Sequence, residues 1–256
     1  MATLHSDSSW KFYGRKEPYF GVTGLEIHLK ENLREKVTDD FFLSGSADVD
    51  NLFDTIHSKI DPAFKPDTIL DFGCGPGRMV IPFSSQCKEV VGMDVSEHML
   101  EEAGNNCKRL GITNVTFLLS DDDLSQVKDR KFELVHSFIV IQHINIKRGE
   151  KIISHLVNLI SPGGIGVLQM TYHDSYPVRR IVNFFRFRLP YLYDFLIMSR
   201  NLLKRKKFRK LPMMQMNNYN LNRVLALLQG VGVSDLHISF TNHYKYWGVI
   251  LYFKKN

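Results

Sequence analysis

From position 65 onward, short apolar runs rich in β-branched residues alternate with stretches in which apolar residues recur every three or four positions. The runs predict strands at 68–72, 89–94, 114–119, 132–139 and 164–172, and the stretches between them predict helices at 78–86, 96–110 and about 146–160. The middle helix has the clearest signals. Ser96 is a good N-cap, Met99, Leu100 and Ala103 share one face, and Gly111 supplies the stop. Strands alternating with helices in this way specify βαβ units and a mostly parallel sheet.

Near position 219 the alternation ends. A helix at 220–230 precedes two extended runs, "VSDLHISFTN" and "YWGVILYFKK", whose link through 243–245 is short enough to require antiparallel neighbours. The predicted fold class is therefore α/β: a doubly wound seven-stranded sheet, mostly parallel, with a C-terminal antiparallel hairpin and helices on both faces. Ahead of the sheet the pattern predicts an aromatic strap at 10–21, a charged helix near 25–36, and a separate helix in "SADVDNLFDTIHSKI" capped by Ser46. These divide the chain into a helical and aromatic cap at 1–62 and a main domain at 63–256, with a helical insertion at about 174–218.

Composition leaves that picture intact: 44% hydrophobic and 23% charged residues are the balance of a globular protein rather than a disordered or fibrous one. The N-terminal residues lack the apolar run of a secretory signal, and no segment approaches the ~20 apolar residues of a membrane span, so a cytoplasmic protein is expected. Cys74, Cys87 and Cys107 have neither metal-ligand spacing nor an even count, and signal no zinc site or disulfide framework. Charge changes the picture more. The net +6 is concentrated at Arg179, Arg180, Arg186, Arg188, Arg200 and "KRKKFRK" at 204–210, a region suited to an acidic partner.

The candidate chemistry begins at "ILDFGCGPGR". Gly73, Gly75 and Gly77 form G-x-G-x-G at a strand end, whereas dinucleotide sites use G-x-G-x-x-G and P-loops continue into G-K-[ST]. Glycines there let a ligand lie against backbone. Acids then end successive strands: Asp71 the first, Asp94 the second, and Asp121 follows the third. In an open α/β sheet these ends face the binding crevice. Asp94 is placed to accept two ribose hydroxyls and Asp121 an adenine amino group, while three acids would repel a pyrophosphate and suit a cationic ligand.

Together these residues resemble the class I S-adenosylmethionine-dependent methyltransferases. The family's glycine-rich motif is similar to "ILDFGCGPGR", its ribose-binding acid to Asp94, its adenine segment to "SDDD", its fourth strand to "FELVHSFIVIQHI" and its fifth to "LISPGG". The resemblance spans roughly 64–172 by motif and 219–255 by layout. Glu133 stands where aspartate is usual, Ser120 where glycine is common, and the insertion is long. The implied cofactor is S-adenosylmethionine, held by Asp71, Gly73, Cys74, Gly75, Gly77, Arg78, Asp94, Val95, Met99, Asp121, Asp122 and Ser137. Asp121 would serve the adenine amino group and Asp122 would offer its backbone. No metal is demanded.

Several acceptors are disfavoured by what is missing. The acid-or-asparagine and Pro-Pro motif of base-amine methylation is absent after the fourth strand, no cysteine follows a proline as in 5-methylcytosine enzymes, and the acids of a magnesium-dependent catechol site are lacking. A small-molecule or carrier-tethered acceptor remains, most plausibly methylated at oxygen. Its hydroxyl would need a base, for which His143 and His173 are the candidates, with His136 structural. Tyr19 and Phe20 are expected to form part of a lid. The basic aromatic stretch 178–210 suits a peripheral membrane or acidic partner, and nucleic acid finds no recognition motif. The rival readings are a non-catalytic cofactor-binding protein that docks a partner or membrane through this stretch and, third, a nucleic-acid methyltransferase.

Overall fold

The computed structural model of the chain describes residues 6–175, 211–212, 214–243 and 245–256. Its strands are β1 Thr68–Phe72, β2 Glu89–Asp94, β3 Val115–Leu119, β4 Phe132–Ser137, β5 Ile160–Asp174, β6 Val233–His243 and β7 Tyr246–Lys255. They form one seven-stranded sheet in the order β3-β2-β1-β4-β5-β7-β6. β1 through β5 pair in parallel, and β7 lies antiparallel between β5 and β6. The predicted fold class is thus the one observed. The order reverses beside β1, so the carboxyl ends of β1, β2 and β4 open one crevice.

Alternation along the strands divides the core. Leu70, Phe72, Val91, Met93 and Val135 pack on one face, beneath α6 (Ile146–Asn158) and α7 (Leu221–Gly230). Ile69, Val90 and Leu134 pack on the other with Phe83 of α4 (Val80–Ser84) and Val49, Leu52 and Ile56 of α3 (Glu35–Lys59). Because period-two alternation governs both strands, Asp71 and His136 fall on the second face, and the β1–β4 register sets them directly opposite each other. That pairing has consequences below.

Several predicted boundaries move. β5 starts at Ile160 rather than 164, because Ile160 already pairs Phe132 before a register shift takes up the Pro-Gly-Gly segment. β4 ends at Ser137, and α5 (Glu97–Arg109) follows its N-cap residue Ser96 with no side-chain cap bond. At the N-terminus the strap resolves into α1 (Ser6–Lys16) and α2 (Pro18–Thr23), and of the helix expected near 25–36 residues 25–34 carry only a 3-10 turn, Glu26–His28, before α3 begins at Glu35.

The larger correction is α3, a single helix of 25 residues in which Ser46 lies mid-helix and caps nothing. Ser44 and Ser46 instead donate back to the carbonyls of Phe41 and Phe42 at 2.6 and 3.4 Å. The intervening Gly45 is no breaker: a Cβ there would lie 2.1 Å from the Arg78 carbonyl oxygen, so glycine is what lets α3 press against the loop after β1. Most of the helical insertion predicted at about 174–218, including the basic stretch 178–210, lies outside the described residues. Among the described residues no helix is long and apolar enough to cross a membrane.

Candidate active site

The loop after β1 is built by hydrogen bonds to its neighbour. Gly73 and Cys74 donate from their backbone N–H groups to the Met93 carbonyl at 2.7 and 2.9 Å, which folds the loop over the end of β2. Gly73 has φ +81°, and a Cβ on it would stand 2.2 Å from Val140 Cγ2. Only glycine meets both conditions. Asp94 closes the arrangement: its carboxylate accepts from Gly75 N–H at 3.0 Å and Ser96 N–H at 2.9 Å, tying the loop to the start of α5. Burial pushes this carboxyl up to about 6; the N–H donors of Ser96 and Gly75 oppose the rise and the nearby Asp71 adds to it.

Two cavities open at the strand ends, with about 800 and 830 Å³ of empty space. Gly73, Val22, Phe138 and Ile139 line both. The first receives Gly75, Asp94, Val95, Met99, Asp121, Asp122 and His143. The second receives Asp71, Cys74, Arg78 and His136, with Asp48 and His243. Of the residues expected to hold a cofactor, Gly77 and Ser137 line neither. Gly77 approaches Ala103 of α5, and the Ser137 hydroxyl donates to the Phe72 carbonyl at 3.0 Å, locking β4 to β1.

The two acids after β3 are already engaged. Asp121 accepts from the N–H groups of Asp123 and Ser125 and from the Ser125 hydroxyl, and these bonds hold its carboxyl below the usual carboxylate range. One of the roughly four acceptor positions of a carboxylate stays open for a ligand. Asp122 receives Arg148 of α6, whose guanidinium also grips Asp7 of α1 at 2.6 and 2.9 Å. Arg148 thereby ties the N-terminal helix to the cavity rim.

The proposed bases separate. His143, in the 3-10 turn Ile141–His143, is 6% exposed, donates from Nδ1 to the Gln215 carbonyl at 2.5 Å and packs against Trp10. Burial lowers its pKa to about 4, leaving a neutral ring in the first cavity. His173 is exposed against Trp247 and lines neither cavity. The bulge between Thr171 and His173 carries it off the crevice side. Tyr19 is likewise no lid: it is buried beside Phe41 and Phe42, and its hydroxyl donates to Glu102 at 2.8 Å. The wall comes instead from Ser6, Asp7, Trp10, Gly21 and Val22.

Sequence reasoning missed Phe138, Ile139 and Val140, which turn out of β4 into the crevice. Ile139 adopts φ +58°, rare for a β-branched residue, and its N–H is held by the buried Gln169 side chain at 3.0 Å. His136, assigned a structural role within its strand, is buried, pairs through Nδ1 with Asp71 Oδ1 at 2.8 Å and is among the residues lining the second cavity. Among the described residues no group of three or more His, Cys, Asp or Glu side chains could hold a metal ion.

A sheet of this order, with an acid ending β2 and a G-x-G-x-G loop folded over it, is the arrangement that the resemblance to the class I S-adenosylmethionine-dependent methyltransferases implies. Residues 69–164 match the family described as Methyltransferase domain. Phosphoethanolamine N-methyltransferase 1 of Triticum aestivum is 26% identical over 138 residues, 52% of this chain and 27% of that protein. Demethylmenaquinone methyltransferase of Tropheryma whipplei (strain Twist) is 28% identical over 126 residues, 49% of each chain. The chain thus spans between about a quarter and a half of these two relatives. Magnesium protoporphyrin IX methyltransferase of Synechocystis PCC 6803, solved with S-adenosylmethionine bound, superposes with a TM-score of 0.61 at 19% identity over 100% of both chains. At that identity the likeness is one of fold.

Proposed function

We propose that the chain transfers a methyl group from S-adenosylmethionine to a small-molecule or carrier-tethered acceptor, at oxygen. The observation that carries the reading is Asp94, a carboxylate at the end of β2 that both braces the glycine loop and lines the first cavity. Its remaining acceptor positions suit two ribose hydroxyls. Val95 and Met99 supply apolar walls for an adenine ring, and Asp121 keeps one acceptor position for its amino group. At the other end, Asp71 Oδ2 is buried and has no hydrogen-bond partner among the described residues. It suits an ammonium group, and Gly73 lines the same cavity beside it. The residues present fit the cofactor.

When bound, S-adenosylmethionine supplies an electrophilic methyl group on a cationic sulfur. The chain's share is to orient the reactants and to exclude water, with α1 and α2 forming the outer wall through Trp10 and Val22. The oxygen preference comes from the family resemblance, and His143 in the first cavity is an imidazole that could take a hydroxyl proton. Calorimetry with S-adenosylhomocysteine tests the reading: micromolar-range saturable binding is expected, and absence of heat at millimolar ligand would refute it. Incubating the chain with methyl-labelled cofactor and a metabolite extract then identifies the labelled product and the atom that carries it.

A further inference from the structure

The proposed cofactor contacts are divided between the two cavities, with ribose and adenine at Asp94 and Asp121 in the first and the ammonium group at Asp71 in the second. The sulfonium joins those two parts of the ligand, so the reacting methyl falls where the cavities meet. Gly73, Val22, Phe138 and Ile139 line both. Ile139 is the strained member of this set. Its φ is +58°, a region that a β-branched residue enters only where its surroundings over-determine it.

What over-determines it is Gln169. Strand β4 leaves the sheet after Ser137, whose partner on β5 is Leu168. Gln169 is the next residue of β5, fully buried, and its side-chain Oε1 accepts from the Ile139 N–H at 3.0 Å. A side-chain carbonyl thus supplies one more acceptor where the ladder has ended. The place of the amide is built into the neighbouring strand: a Cβ on Gly248 of β7 would stand 3.0 Å from Gln169 Nε2, 2.8 Å from the Met170 carbonyl oxygen and 2.6 Å from Thr241 Oγ1, so glycine leaves the amide its room. Beyond Ile139, Val140 presses on Gly73, where a Cβ would meet Val140 Cγ2 at 2.2 Å. A continuous path of contacts therefore runs from Gln169 to the glycine loop.

We infer that Gln169 is a positioning residue for methyl transfer: by accepting from the Ile139 N–H it fixes the wall at which the two cavities meet, and with it the direction from which an acceptor reaches the methyl. The inference rests on the methyltransferase reading. Gln169 itself lines neither cavity, so it acts through Ile139. Misplacing reacting groups by about 1 Å is worth about 100-fold in rate, which is what a wall held out of its preferred conformation has to prevent. A methionine at 169 would keep the length of the side chain and lose the acceptor. A glutamate, protonated at so buried a site, would keep a carbonyl oxygen in the same place.

The test uses the full chain saturated with S-adenosylmethionine that carries a 13C methyl group. In wild type, a nuclear Overhauser contact between the labelled methyl and Ile139 protons is expected, together with an Ile139 amide that exchanges with solvent as slowly as the strand amides of β4. Absence of that contact, or an amide exchanging at the rate of an unstructured chain, would overturn the inference. Neither measurement needs a variant to fold or an acceptor to be known. Gln169→Met is expected to bind S-adenosylhomocysteine within about threefold of wild type, to speed Ile139 amide exchange about tenfold and to move the resonance of the labelled methyl. Gln169→Glu should return both toward their wild-type values. A methyl resonance unmoved in Gln169→Met, or moved equally in Gln169→Glu, would show that the side chain is structural only. Wild-type chain that fails to bind S-adenosylmethionine defeats the methyltransferase reading itself, whereas chain that binds it without the Ile139 contact defeats this inference alone.

Discussion

Lowering the pH from 8 to 5 tests the ribose contact through the charge on Asp94. Its carboxyl is pushed up to about 6 because the folded chain removes most of its water, and the two N–H groups that it accepts recover only part of that loss. Ribose hydroxyls donate to the ionised form. Protonation converts one acceptor position into a donor, so affinity is complete above pH 6 and declines below it. For a single group titrating near 6, the apparent dissociation constant of S-adenosylhomocysteine should be nearly constant from pH 7 to 8, double at about 6 and rise roughly tenfold by pH 5, or about 1.4 kcal/mol per pH unit. Calorimetry across this range measures it. Asp94→Asn supplies the control, because its weaker binding should lose the pH dependence; its amide would also face the Gly75 or Ser96 N–H, so thermal melting must show that it folds. A dissociation constant that stays flat from pH 8 to 5 in wild type, or an equal slope in Asp94→Asn, would refute the assignment.

Two further outcomes are expected. Gly73→Ala should lower stability by about 1–3 kcal/mol in urea melts and weaken cofactor binding, because φ is +81° and the new Cβ meets Val140 at 2.2 Å; a melt unchanged within about 0.5 kcal/mol would contradict the clash. Arg148→Met releases both Asp7 and Asp122 at a partly exposed site, which should cost about 1–2 kcal/mol of S-adenosylhomocysteine affinity. Adding Asp7→Asn to it should cost little more, since the pair acts as a unit, and full additivity in a double-mutant cycle would show that α1 is not held to the rim by Arg148.

Legibility in the sequence followed the range of the interactions. The strands showed because β-branched runs alternate with helical spacing, and the hairpin because a three-residue link permits only an antiparallel return. Asp71, Asp94 and the glycine loop showed because strand ends in such a sheet converge by topology. Ser46 and His173 misled for one reason: a cap and a crevice position were each assigned from neighbours in sequence, while a contact with Arg78 and a bulge against β7 decided them. Tyr19 misled similarly, its hydroxyl donating to Glu102 of α5, a residue 83 positions away in sequence.

His136 marks the boundary most sharply. In sequence it is one polar residue in an apolar strand, and the ordinary expectation for such a residue is a satisfied structural role. Local pattern determined which elements form, which face of each strand is buried and which acids reach the crevice, because those depend on backbone geometry repeated every two or 3.6 residues. Register determined the rest. Only the alignment of β4 on β1, a pairing between residues 65 positions apart, sets a buried imidazole against Asp71, and no periodicity within either strand encodes that alignment.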